Sequence, residues 1–271
     1  MEGVERGRSV PPSALRSGTT MSSSLPPEIL DHVVDHLHDE PDTLKACCVT
    51  SKSWVSRTRT HLFSRIEFLK STFQSWMKAF PDPSNSPAHY TRSLTIYENC
   101  LVVATSRDSH AWIRAFHNVV HLALDNSWWS VVHGCLIPLH GLSPALRSLS
   151  ITCWSISPSE ALKLVCSCPS LEDFTLIPRI IVESDGWAIP STSPKLTGTL
   201  YLLTPRSDGI RPFIRYLLDL PDGLRFSKIS VNYLNEEAEL ALDLVSSCFD
   251  TLKSLCLLSP VLCAFRVSFR G

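Results

Sequence analysis

The chain has 271 residues, a net charge of −1, 44% hydrophobic residues and 19% charged residues. That length holds one large domain or two small ones, and that apolar fraction is enough to build a core. Near-neutrality and the lack of a dense Lys/Arg run exclude a general electrostatic grip on nucleic acid or an acidic membrane. The ten cysteines are scattered, several inside apolar runs (Cys47, Cys48, Cys135, Cys166, Cys256), and no secretory leader is expected, since no apolar stretch follows Arg6, Arg8 and Arg16. Reduced, buried thiols fit this pattern better than a disulfide framework. The longest apolar runs fall short of the roughly 18 residues that a membrane-spanning helix needs. The composition therefore predicts a soluble protein of the cytoplasm and/or nucleus.

Residues 1–23 are rich in Ser, Gly, Pro and Arg and predict a disordered tail, with Met21 as an alternative start to Met1. From residue 24 the character changes. Leu25-Pro26-Pro27-Glu28 suits a helix start, because Pro in the first turn gives up an N–H that has no partner there and Glu28 meets the positive helix end. Ile29, Leu30, Val33, Val34 and Leu37 follow at helical spacing, with an end near Asp39 before Pro41. A second short helix, capped by Asp42 or Thr43, carries Leu44, Cys47 and Cys48. A third starts at Ser51 or Ser53 and carries Trp54, Val55 and then Leu62-Phe63.

The apolar residues of the first helix point in more than one direction. Three such short helices have too little mutual surface to hide them all, so one face is expected to meet another protein or the following domain.

Leu25-Pro26-Pro27-Glu28-Ile29-Leu30, then Leu44 to Trp54, then Leu62-Phe63 resemble the F-box family in order and spacing over residues 24–66. Cys48 stands near where a larger aliphatic is common, and Thr50-Ser51 replaces a frequent Cys-Lys or Cys-Arg. The resemblance implies a three-helix module bound by a Skp-type adaptor, which a cullin scaffold with a RING subunit holds within a ubiquitin ligase. By the same resemblance Leu25, Pro26, Ile29, Val33, Cys48, Val49 and Trp54 would face the adaptor. Leu30, Val34 and Leu37 are expected in the module's own core.

After an expected linker over 67–88, residues 89–271 repeat themselves. Ala161-Leu162-Lys163-Leu164-Val165-Cys166-Ser167-Cys168 matches Ala241-Leu242-Asp243-Leu244-Val245-Ser246-Ser247-Cys248, with positions 161/164/165/168 and 241/244/245/248 on one helical face. An apolar-x-x-apolar-x-apolar step recurs with strand starts at Leu94, Leu122, Leu149, Phe174, Leu200, Ile229 and Leu255, at intervals of 25–29 residues. A strand followed by a turn and a helix must stack on its neighbours to bury its apolar side. The interval resembles that of leucine-rich repeats. The asparagine that usually follows the strand is found only at Asn99, so the turns must satisfy their backbone by other means. The expected fold is α/β: a three-helix F-box followed by an irregular leucine-rich-repeat-like solenoid. The sequence stops at Gly271 without a polar capping repeat, which leaves a shortened gene product or a poorly ordered last repeat as alternatives.

His32 and His36 are one helical turn apart, but no Cys pair or carboxylate stands at a matching spacing, so no metal site is expected. Cys166-x-Cys168 lies in the repeated helix, where Ser246 replaces Cys166, which favours packing. No nucleophile turn, phosphate-cradling loop or dinucleotide fingerprint occurs, so neither a cofactor nor an enzyme is expected. Trp128, Trp129 and Trp154 follow predicted strands; they serve as core or, exposed, as anchors for a target protein. Three functions follow: a substrate-recognition subunit of the ligase, an F-box scaffold without a degradative role, or a small hydrolase with an unrecognised site.

Overall fold

A computed structural model describes residues 26–97, 107–130, 136, 139–182, 193–203, 210–232, 238–258 and 265–268. It has an α/β architecture. Three consecutive helices, α1 (Pro27–His36), α2 (Pro41–Thr50) and α3 (Lys52–Leu62), precede a nine-stranded sheet. The strands are β1 (Arg65–Phe68), β2 (Ser93–Tyr97), β3 (His121–Ser130), β4 (Ser148–Ile156), β5 (Asp173–Ile181), β6 (Thr199–Leu202), β7 (Lys228–Asn232), β8 (Ser254–Leu258) and β9 (Phe265–Ser268). Every strand pairs with its neighbour in sequence. All pairs are parallel except the last, in which β9 runs antiparallel to β8.

The seven expected strand starts are register partners of one another. Leu94 stands opposite Leu122, Leu122 opposite Leu149, Leu149 opposite Phe174, Phe174 opposite Leu200, Leu200 opposite Ile229, and Ile229 opposite Leu255. From Leu94 through Ile229 this row is buried, as are its period-2 companions Ile96, Leu124, Ile151, Leu176, Leu202 and Val231. Alternation sends the residues between them to the opposite face.

Helices lie in the connections: α4 (Lys70–Ala79), α5 (Arg107–Arg114), α6 (Pro158–Cys166), α7 (Ile210–Leu218) and α8 (Ala238–Ser247). On α6, Ala161, Leu164 and Val165 are fully buried and Cys168 just beyond it nearly so; Leu244 and Cys248 repeat this around α8. Between β3 and β4 no helix occurs among the described residues, and the fully buried Leu136, Leu139, Leu142 and Leu146 fill that side of the core. One hydrophobic cluster runs without a break from Ile66 to Leu252.

At the entrances of β2 to β8, except that of β6, the entering backbone N–H groups are taken by a backbone carbonyl of the preceding unit. The Ser64 carbonyl accepts the Arg92 and Ser93 N–H groups, the Arg92 carbonyl those of Val120 and His121, and the Val120 carbonyl those of Arg147 and Ser148. Arg147, Gly198 and Ser227 carry the ladder on to Glu172/Asp173, Ser227/Lys228 and Lys253/Ser254. This ladder supports the strand entrances in a chain that lacks the asparagines of a regular repeat.

The structure corrects several expectations. The sheet begins at Arg65, not near Leu94, because Ile66 and Phe68 alternate inward 28 residues ahead of β2 and pair with Leu94 and Ile96. The expected linker 67–88 instead carries the end of β1, helix α4 and two short 3-10 turns. Phe73 and Trp76 of that stretch meet Phe68, and Trp76 also meets Phe80 and Phe116, with Phe63 edge-on to Trp76 at 6.0 Å between ring centroids. Helix α2 starts at Pro41 with Glu40 at the cap, not at Asp42 or Thr43, since the fixed φ of proline already suits the first turn. β4 and β5 continue to Ile156 and Ile181, so Trp154 lies within a strand and not after it. Pro178 fits in β5 because β6 pairs only as far as Leu176, so that side of Pro178 needs no N–H.

Candidate functional site

Two surfaces follow from this fold. The first is the three-helix unit. Its interior holds Val34, Leu44 and Cys47, all buried, with Leu30 and Leu37 half-buried. An ion pair joins the outer helices: the Arg57 guanidinium of α3 grips both Asp35 oxygens of α1 at 2.6 and 2.5 Å, and His61 Nε2 lies 2.7 Å from Asp35 Oδ1. The hydrogen bonds from Arg57 and His61 hold the Asp35 carboxyl well below the usual carboxylate range. Nothing in the sequence singled out this group; an acid on one helix and Arg57/His61 four residues apart on another meet only through the fold.

Of the residues assigned to an adaptor face, Ile29 and Val33 are 47% and 46% exposed one turn apart on α1, and Val49 on α2 is 86% exposed. Pro26 is also exposed, whereas Cys48 and Trp54 are half-buried. Leu25 lies outside the described residues. The wheel argument thus separates the helix as drawn: Val34 turns in while Ile29 and Val33 turn out. His32 and His36 share the exposed side of α1, and among the described residues no three His, Cys, Asp or Glu side chains are placed to hold a metal.

The second surface is the outward face of the sheet. One row across it reads Glu67, Thr95, Ala123, Ser150, Thr175, Tyr201, Ser230 and Cys256, each in register with the next. The next row places Tyr97 opposite Asp125, Asp125 opposite Thr152, and Thr152 opposite Ile177. Tyr97 shares a hydrogen bond with Glu67, and the Glu67 charge, burial and the Asp125 charge together push its phenol up from its ordinary value. Further along, Trp154 stands half-buried on this same face, with the Arg179 guanidinium 5.3 Å over its ring. Trp128 and Trp129 lie on β3 where its register with β4 shifts between Asn126 and Ser130; their side chains are outside the described residues. The shift gives β3 two more residues than β4 over that stretch, a bulge at the strand exit that sequence alternation does not announce.

A groove of about 410 Å³ between α7 and α8 is lined by Arg211, Arg215, Asp219, Glu239 and Asp243. Three thiols are poorly suited to chemistry: burial pushes Cys166 up to about 11 and raises Cys168 and Cys248 as well. No helix among the described residues is long and apolar enough to cross a membrane. No protein-family model matches the chain, and a comparison with curated proteins finds no match.

Proposed function

We propose that the chain is the substrate-recognition subunit of a Skp-cullin-F-box type ubiquitin ligase, with residues 24–66 docking on the adaptor and the sheet face holding a target. The observation that carries this reading is the exposure of Ile29, Val33 and Val49 on a helical unit whose interior is already filled by Val34, Leu44 and Cys47. Exposed aliphatics on so small a unit cost solvation in the free protein and are recovered by a partner with a complementary apolar surface.

The sheet supports the leucine-rich-repeat half of the reading. A doubly wound sheet reverses its strand order at a switch point, whereas here β1 to β8 follow sequence order throughout with a 25–29 residue interval. That order is what an array of stacked units, each resting on its neighbours, would have. The mechanism is positional: the helical unit fixes the chain on the ligase, and the sheet keeps target lysines near the loaded conjugating enzyme, raising their effective concentration. No bond chemistry is assigned to the chain itself.

Co-purification of the full chain with a purified Skp-type adaptor tests the proposal. Binding is expected for the wild type and its loss for the Ile29→Ser/Val33→Ser/Val49→Ser variant, with an unchanged melting temperature. Equal co-purification of both proteins, or none of either, overturns the assignment. Target turnover under ligase inhibition then separates a degradative receptor from a scaffold.

A further inference from the structure

On the outward sheet face the charges are unevenly spread. Glu67 on β1 and Asp125 on β3 flank Tyr97 on β2, and all three turn away from the core, since Ile66, Phe68, Leu94, Ile96, Leu122 and Leu124 are the buried alternates. Glu67 and Asp125 are exposed, Tyr97 is half-buried, and among the described residues neither carboxylate is ion-paired to a lysine or arginine. At about 4.8 Å between strands, the carboxylate-bearing strands stand about 10 Å apart, which leaves room for one cationic head over the tyrosine between them. Such a cation gains two carboxylate partners and the face of an aromatic ring.

The floor beyond is neutral and small, formed by Thr95, Ala123, Ser150 and Thr152, so a chain lying across it desolvates little charge. It ends at Trp154, whose ring is stacked under Arg179. From Tyr97 to Trp154 is two strands across and two residues along, about 12 Å, which an extended chain covers in about three to four residues. The aromatic wall offers area to an apolar side chain, while the nearby guanidinium opposes a second cation there.

We propose that the outward sheet face takes an extended target segment with a lysine or arginine seated over Tyr97 between Glu67 and Asp125, and a large apolar residue three or four positions away against Trp154. This rests on the reading of the sheet as the target-holding surface and assigns that target its chemistry.

The test is selection of a randomised heptapeptide library on the immobilised full chain, with the adaptor pull-down run on the same preparation. Enriched peptides are expected to carry a basic residue and a large apolar residue at the stated spacing. The basic preference is lost on Glu67→Gln/Asp125→Asn and the apolar one on Trp154→Ala, while thermal melts of the exposed carboxylate variants match wild type. Selection of acidic or uniformly apolar peptides, no selection at all, or a basic preference that survives Glu67→Gln/Asp125→Asn overturns the proposal. Because the adaptor contacts a different surface, failure of peptide selection alongside intact adaptor binding rejects this inference alone. Loss of adaptor binding with peptide selection retained rejects the ligase reading alone.

Discussion

Gly198 occupies the one strand entrance where the backbone ladder changes partner. Elsewhere a single carbonyl takes two N–H groups from the following unit, but the Glu172 carbonyl takes only that of Gly198. The next N–H, from Thr199, goes instead to the Asp173 carboxylate at 2.6 Å. A Cβ on residue 198 would lie 2.3 Å from that carboxylate oxygen and 3.1 Å from the Glu172 backbone. Gly198→Ala is therefore expected to cost about 1–3 kcal/mol, the usual range for overpacking a tight site, read as a lower denaturation midpoint at unchanged slope. Asp173→Ala alone loses the bond to Thr199, and in the double variant the clash with the carboxylate is gone, leaving only the contact with the Glu172 backbone. The two costs should then fall well short of additive; a double variant as unstable as the sum of the singles would reject the explanation. Thiol reactivity is also a residue-scale matter. Burial raises Cys166, Cys168 and Cys248, so these are expected to resist alkylation at neutral pH in the folded chain and to react on unfolding, which mass spectrometry of labelled peptides reads directly.

Among the elements, the α1–α3 pair depends on a titratable contact. Asp35 is held low by Arg57 and His61, so in the folded chain it stays ionised where an unfolded aspartate, at about 3.9, begins to protonate. Its contribution to stability is fully present above that value and is lost as pH falls toward the depressed folded value. The protection of amides across α1 and α3, taken relative to the intrinsic exchange rate at each pH, is expected to fall below about pH 4 in the wild type. In Asp35→Asn, protection should already be lower at pH 7 and nearly flat over the same window; a parallel protection profile for the two would remove Asp35 as the cause. This contact also marks where the sequence stops being legible. The strand rows were readable because alternation and a 25–29 residue interval are local signals, repeated seven times from Leu94 to Leu255. The Asp35–Arg57–His61 group has no local signature, and β1 was missed because four residues, Arg65–Phe68, directly follow the helical unit, with only one copy of the alternation to notice. The exposed side of α1 was readable because Ile29 and Val33 cannot share the stripe of Leu30 and Val34 on a 3.6-residue helix. Trp154 stands at the exit end of β4, and its membership in the strand depends on Cys153 and Ser155 continuing the buried face of Leu149 and Ile151.

At the scale of the whole molecule, the helical unit passes into the sheet with almost no intervening chain. α3 ends at Leu62, β1 begins at Arg65, and the Ser64 carbonyl between them already accepts the Arg92 and Ser93 N–H groups. Phe63 packs edge-on against Trp76, whose ring also meets Phe68, Phe80 and Phe116, and α3 touches the 3-10 turn at Pro87–Tyr90. A junction held by backbone bonds and a cluster of rings resists bending more than a free linker, for which Gly/Ser chains allow an end-to-end spread of about 5–6 Å times the square root of their length. If the protein works by position, that stiffness is part of the mechanism, because it limits which lysines come near the conjugating enzyme. The lysines of the sheet region, among them Lys163, Lys195, Lys228 and Lys253, provide an internal readout that needs no knowledge of the target. In a ligase reconstituted with adaptor, cullin and RING subunit, self-modification of the wild-type chain is expected to concentrate on a few of these, as mapped by mass spectrometry. Insertion of a twelve-residue Gly-Ser linker between Phe63 and Ser64 keeps Ser64 on the sheet and leaves Ile29, Val33 and Val49 untouched, so adaptor co-purification should be unchanged. The modified set should broaden and each site should be used less, as the effective concentration of any one lysine falls with linker length. A linker variant with the same sites at the same occupancy would mean that the junction does not set the geometry, and that stiffness must come from elsewhere in the assembly.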